Sequence, residues 1–212
     1  MSSSIDAYFS FRSPYSYLST PDLLNLERDF DVEVNLRPVL PLAVRRPDFF
    51  SPENLKRAKY IRMDWLRRAE FLEMPSAWPS PDPIVQDMET YEIAKEQPYI
   101  YELTKLGVEA ERQGKGIEFA KEISHLIFGG TKEWNEGNHL SEATARVGLD
   151  LAQMRDAIES GNHLEEIEAN QLALDAAGHW GVPSLVLKEE VFFGQDRIET
   201  LRWRLQQQGL DR

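Results

Sequence analysis

The chain contains no cysteine in its 212 residues. Disulfides, thiolate–zinc centres and catalysis by a protein thiol are therefore excluded. Long apolar runs are missing too, and none approaches the roughly 20 residues that span a bilayer. The opening stretch MSSSIDAYFS has neither a basic segment nor an apolar one behind it. A secretory leader is thus not expected, and the default placement is cytoplasmic. Positive charge is in short supply: 24 Lys and Arg face 36 Asp and Glu, for a net charge of -12. Such a surface repels phosphate backbones and anionic lipid, so neither nucleic acid nor membrane is an expected partner. His125, His139, His163 and His179 show no paired spacing on one helix, and no metal site is expected. A G-x-S-x-G hydrolase elbow and a phosphate loop are also lacking.

What is present suits a globular core, with 42% hydrophobic and 28% charged residues. Residues 5–11, IDAYFSF, read as a buried strand. Ser13-Pro14 reads as a helix start, since serine is a favoured cap and proline suits the first helical position. Pro21 is expected to kink or interrupt that helix. Residues 32–38, VEVNLRP, alternate apolar and polar side chains as a second strand. From about residue 52 to about 178 the periodicity is helical, broken by the proline-rich SAWPSPDP. The helices expected there lie near 52–74, 86–97, 98–113, 116–128, 141–147, 150–160 and 163–178. The last part changes character. Strands at 184–188 and 191–193 flank a turn at Glu189-Glu190, and Gly194 precedes a helix capped by Asp196.

The whole reads β-α-β, then helices, then β-β-α. This order, with a proline just before the third strand, resembles a thioredoxin-like α/β fold carrying an inserted all-helical domain. Residues 1–45 and 162–212 would form the first part and 46–161 the second. Three motifs extend the resemblance: YFSFRSPYSYL at the first strand–helix junction, GVPSLVL before the hairpin and FFGQDRIETL after it. Together they are similar to the family of 2-hydroxychromene-2-carboxylate isomerases and kappa-class glutathione transferases. The resemblance implies bound glutathione as cofactor, a small aromatic substrate and a homodimer.

It also implies roles for particular residues. Ser13 takes the place where related oxidoreductases carry a cysteine, at a helix N-terminus that favours negative charge. Its hydroxyl would donate to the sulfur of glutathione, so the thiol missing from the chain would arrive with the cofactor. Val182 and Pro183 would form a cis peptide whose preceding N–H and C=O pair with the cysteinyl backbone. Gln195 and Asp196 would take the γ-glutamyl end, with backbone N–H groups on its carboxylate and the Asp196 carboxylate on its ammonium. Arg57, or alternatively Lys59, would hold the glycyl carboxylate, with Asn54 nearby. Trp65, Trp78, Trp134 and Tyr91 are candidates for an aromatic substrate wall, with Trp134 foremost. By themselves, a serine before proline is an ordinary cap and aromatics at helical spacing are ordinary core. Two classes of function follow from the set: a glutathione-dependent isomerase or transferase/peroxidase, and a non-catalytic thioredoxin-like module whose helices bind a protein.

Overall fold

The computed structural model of the chain describes residues 3–46, 55–87, 90 and 92–212. Strand β1 is Ser3–Phe9, shifted two residues towards the N-terminus from the expected span. Strand β2, Val32–Pro38, lies parallel to it, with Val32, Val34 and Leu36 buried at every second position. Strands β3, Ser184–Leu187, and β4, Glu190–Phe193, form a hairpin whose β3 runs antiparallel to β1. The sheet order is β2-β1-β3-β4, so the two ends of the chain meet at its centre. The hairpin loop is one residue earlier than expected, at Lys188-Glu189, with Lys188 left-handed at φ 58°.

Helix α1, Pro14–Asp29, runs through Pro21 without a break. Proline cannot donate to the Tyr17 carbonyl, one turn back. The Thr20 hydroxyl donates to that carbonyl instead, at 2.8 Å, so the orphaned acceptor is satisfied within the helix. A one-turn helix, α2 (Leu42–Arg45), follows β2. The intervening helices are α3 (Leu55–Phe71), α4 (Ile100–Arg112), α5 (Gly116–Phe128), α6 (His139–Arg146), α7 (Leu151–Ser160) and α8 (His163–Ala176).

Among the described residues of 86–97 there is no helix, contrary to expectation. Gln86 and Ile93 instead make an antiparallel bridge, and the Gln97 amide clasps both the N–H and the C=O of Val85 at 2.8 Å. A side chain that satisfies the backbone this way competes directly with helix. At the C-terminal end, a 3₁₀ turn at Gln195–Arg197 precedes α9, Ile198–Gln207. Asp196 is therefore not the cap of a regular helix. It is exposed and pairs with Arg197 at 3.1 Å.

One apolar core runs through the sheet and the intervening helices, from Ile5, Phe9 and Leu185 to Phe119, Ile123 and Met154. Contact is close where α4 crosses the end of β1. A Cβ on Gly107 would lie 2.6 Å from the Phe11 ring. Helix α8 touches both sides of the expected domain boundary. Its Asn170 donates to the Pro38 carbonyl at 3.1 Å, while its Glu166 holds Arg112 of α4 at 2.7 Å.

β2 is an edge strand, and its outward N–H groups would otherwise lack partners. Glu27 of α1 accepts from Val34 N–H at 2.7 Å, and Glu111 of α4 accepts from Leu36 N–H. Burial lifts the Glu111 carboxyl from 4.5 to about 7, and the Leu36 N–H only partly offsets this. Such a carboxyl stays protonated in the folded chain where the unfolded chain has released its proton. Its contribution to stability is therefore present below pH 4.5 and is lost as pH rises towards about 7. Glu111→Gln keeps the acceptor and removes the charge. We expect this variant to melt above the native protein at pH 8, with the difference shrinking at pH 5; equal melting curves at both pH values would contradict it.

Candidate active site

Ser13 occupies the N-cap of α1 with extended backbone, φ -90° and ψ 115°. Its Oγ accepts the N–H of Ser16 at 3.2 Å and donates to the carbonyl of Val182 at 3.3 Å. The cap therefore joins residues 169 positions apart. The β1–β3 pairing makes this possible, since it ends with Tyr8 opposite Ser184 and brings the loop after β1 and the loop before β3 to one edge. The Val182–Pro183 peptide is cis.

A cleft of about 520 Å³ opens over this junction. Ser10, Ser13 and Tyr15 line it from the β1–α1 end, Gly181 and Val182 from the β3 approach, Lys56, Arg57 and Tyr60 from α3. The Ser10 hydroxyl is buried and makes no hydrogen bond among the described residues. Arg12, Arg45, Lys56 and Arg57 all line the cleft, and no aspartate or glutamate of the described residues does. In a chain of net charge -12, this is a local reversal of sign. Anions are attracted at short range here, while the repulsion from the rest of the molecule is largely screened beyond ~8 Å at physiological salt.

A second compartment adjoins the first and shares Tyr15, Tyr60 and Phe193 with it. It contains Gln195 and Asp196 together with Asp64, Arg68 and Arg197. Carboxylates and guanidiniums side by side suit a zwitterionic group. Gln195 is tied to the opposite wall, because its Oε1 accepts from Arg68 of α3 at 3.1 Å. The Tyr15 hydroxyl donates to Asp64 at 2.7 Å. Burial first, and then that bond, raise the Tyr15 phenol well above its usual 10.0, so it remains a donor.

The fold thus brings Ser13, Val182, Arg57, Gln195 and Asp196 to one composite cleft, with Pro183 buried directly behind Val182. Lys59 does not line it, but Lys56 does. Asn54 and Tyr91 lie outside the described residues. Trp134 is not a cleft wall. It is 1% exposed, stacks edge-on to Tyr99 and donates its Nε1–H to the Pro81 carbonyl at 2.8 Å. Burying an indole at the base of a proline-rich loop satisfies both its ring and its one polar atom. Trp65 is likewise core. Trp78, on the same loop, is the tryptophan that reaches the cleft from the helical block.

Sequence reasoning missed Arg45, Trp180 and Phe193. Phe193 lies inside the motif FFGQDRIETL and Trp180 directly precedes GVPSLVL, and that placement was the available signal. Phe193 stacks on His179 at 4.0 Å, and His179 stacks on Trp180 at 5.2 Å. His179 Nδ1 accepts the Gly181 N–H at 2.9 Å, which requires that nitrogen unprotonated, and burial lowers its pKa. This stack braces the loop that carries Val182. Among the described residues, no group of three or more His, Asp or Glu is arranged to hold a metal ion.

The model of the DSBA-like thioredoxin domain family matches residues 4–206. A protein of Sphingobium xenophagum named 2-hydroxychromene-2-carboxylate isomerase is 24% identical over 205 residues, covering 95% of this chain and 97% of its own. A solved 2-hydroxychromene-2-carboxylate isomerase superposes with a TM-score of 0.72 at 19% identity, over 96% of this chain and 95% of that one. A probable DsbA oxidoreductase from Streptomyces coelicolor superposes with a TM-score of 0.69 at 16% identity, over 97% and 89%.

The cleft's upper rim is held by one pair. Arg12, next to Ser13, meets Asp82 in a two-point contact at 3.1 and 3.0 Å, and its guanidinium lies 5.5 Å from the Trp78 ring. Asp82 also accepts from Ile84 N–H at 3.0 Å. Asp82→Ala would leave a largely buried guanidinium and an N–H without their acceptor. We expect a loss of about 1–3 kcal/mol in denaturant unfolding. A cycle with Arg12→Met should show coupling of at least about 0.5 kcal/mol; strictly additive losses would mean that the pair does not act as a clamp.

Proposed function

We propose that this chain, which belongs to the DSBA-like thioredoxin domain family, is a glutathione-dependent isomerase acting on an aromatic carboxylate of the 2-hydroxychromene-2-carboxylate type. The observation that carries this reading is the Ser13 hydroxyl. It stands at the N-terminus of α1, beside Val182, in the compartment of the cleft that is lined by cations and free of described carboxylates. The absence of cysteine separates the chain from dithiol exchange, which the fold alone does not do.

The donor set suits glutathione. Lys56 and Arg57 match its glycyl carboxylate, and the mixed charges around Gln195 and Asp196 match its zwitterionic γ-glutamyl end. When bound, glutathione would supply a sulfur nucleophile that adds reversibly to a conjugated carbon and leaves after bond rotation.

Ser13 is the group that would keep this sulfur ionised. The 3.3 Å bond to Val182 is long, so the hydroxyl can turn from that carbonyl to an anion at little cost. Throughout, Ser13 Oγ continues to accept from Ser16 N–H, which polarises its own O–H. Turning also frees the Val182 carbonyl to accept a peptide N–H. The α1 N-terminus adds ~0.3–1 kcal/mol for a negative charge, and one charge-assisted hydrogen bond ~1.5–3 kcal/mol. At 1.36 kcal/mol per pKa unit, their sum brings a thiol of pKa ~8.5 to neutrality or below. Trp78, Trp180 and Phe193 supply aromatic surface for a planar substrate.

Reduced glutathione at a hundredfold excess over its Kd should stabilise the protein by about 2.7 kcal/mol. An unmoved melting temperature at millimolar concentrations would refute the proposal. In Ser13→Ala, the ultraviolet thiolate absorbance of bound glutathione should titrate about one to two pKa units higher. Turnover should fall by roughly ten- to a hundredfold, while glutathione affinity changes less. An unchanged titration would reduce Ser13 to a helix cap.

A further inference from the structure

The cations of the cleft differ in what they are already doing. Arg12 is engaged by Asp82. Lys56 and Arg57 are exposed on the first turns of α3. Arg45 is different: its Nε donates to the Leu40 carbonyl at 2.8 Å and its Nη2 to the Trp180 carbonyl at 2.8 Å. Both acceptors are neutral, and Arg45 forms no ion pair among the described residues. Asp175, which acts on Arg45 from a distance, is instead paired with Arg46 at 3.2 Å. A guanidinium has five N–H donors, so two bonds to backbone leave part of its planar fork unused. Burial disfavours its charge, and Asp175 only partly restores it. Arg45 is thus a positioned, partly desolvated cation whose charge lacks a close partner.

Its surroundings restrict what that partner can be. Leu42 and Ala43 of the same short helix and Pro41 before it line the cleft, and Trp180 and Phe193 line it from the strand side. The Trp180 and Phe193 rings touch each other, 6.2 Å between centroids, and together form one apolar wall for a flat ring. A flat ring laid against this wall, carrying one anionic group, would place that group against the guanidinium of Arg45, which lines the same cleft. A carboxylate accepts from such a fork through both oxygens, which a neutral amide cannot do.

We propose that Arg45 is the residue that selects for the carboxylate of the aromatic substrate, separately from the residues that hold glutathione. This assignment rests on the reading of the cleft given above, and it divides the cations by role: Lys56 and Arg57 for the cofactor, Arg45 for the substrate.

The test compares naphthalene-2-carboxylate with naphthalene-2-carboxamide, two unreactive probes of one shape, by calorimetry on the full chain saturated with reduced glutathione. The native protein should bind the carboxylate at least about tenfold more tightly, the size of one charge-assisted hydrogen bond. In Arg45→Gln this preference should collapse to within about twofold, while the Kd of glutathione stays within about twofold of native. Arg45→Lys, which keeps the charge but not the fork, should fall between them. It also serves if the glutamine variant does not fold. In Arg57→Gln the order should reverse, with glutathione weakened and the probe preference kept. Equal binding of the two probes by the native protein would overturn the assignment. So would a full preference in Arg45→Gln or Arg45→Lys, or a loss in Arg45→Gln that falls on glutathione rather than on the carboxylate. Failure of the native chain to bind glutathione at all is a separate result, and would strike the proposed function instead.

Discussion

The contact on which the site depends is the one between Ser13 Oγ and the Val182 carbonyl. Neither group would be useful alone. A serine at a helix start is a cap, and a carbonyl before a strand is a loop acceptor. They meet because β3 returns to pair with β1 after the whole helical block, so that two loops distant in sequence leave the sheet at the same edge. The α1 N-terminus then turns the positive end of its dipole towards the opening between them. Everything proposed for the sulfur follows from that placement: a donor, a local field for negative charge and a backbone strip, all within one cleft.

The rest of the molecule supports the opening by bracing its edges. Arg12 and Asp82 tie the β1–α1 junction to the proline-rich loop, and Trp134 and Tyr17 hold that loop from behind through the carbonyls of Pro81 and Pro75. His179, stacked on both Trp180 and Phe193, fixes the approach to Val182 through Gly181 N–H. The helical block is part of the same construction. Its α3 forms one wall, and its core is continuous with that of the sheet, so the cleft lies between elements that pack together. Aromatic and polar anchors of this kind limit loop motion because each must surrender a buried hydrogen bond or stacked area to move.

Charge is distributed to match. The chain is strongly acidic, yet the described residues lining the compartment around Ser13 include four cations and no carboxylate. Acidic side chains are used where they pair or cap. Glu27 and Glu111 close the β2 edge, and Glu109 and Glu166 bind His163 and Arg112 between α4 and α8. Solubility and local anion attraction are thus served by different regions of one surface.

Much of this was legible in the residues themselves. The alternation of VEVNLRP, the Ser-Pro helix start and the Gly194 turn each report a local backbone preference, and each stands where it was expected. The lack of cysteine by itself excluded dithiol chemistry. Local patterns failed where a distant or unusual partner outweighed propensity. Thr20 rescued the helix at Pro21, the Gln97 amide replaced a helix at 86–97 with a clasped loop, and a 3₁₀ turn displaced Asp196 from its cap. Trp134 and Trp78 are equivalent as letters, and only packing sends one into the core and the other to the cleft. Arg45 carried no signal at all in the sequence, because its role comes from two carbonyls and an aromatic wall supplied by other elements. The sequence by itself determined the elements and the kind of chemistry, since those follow from side-chain type and short-range spacing. The tertiary structure alone decided which side chains share the cleft, since that depends on how strands far apart in the chain are paired.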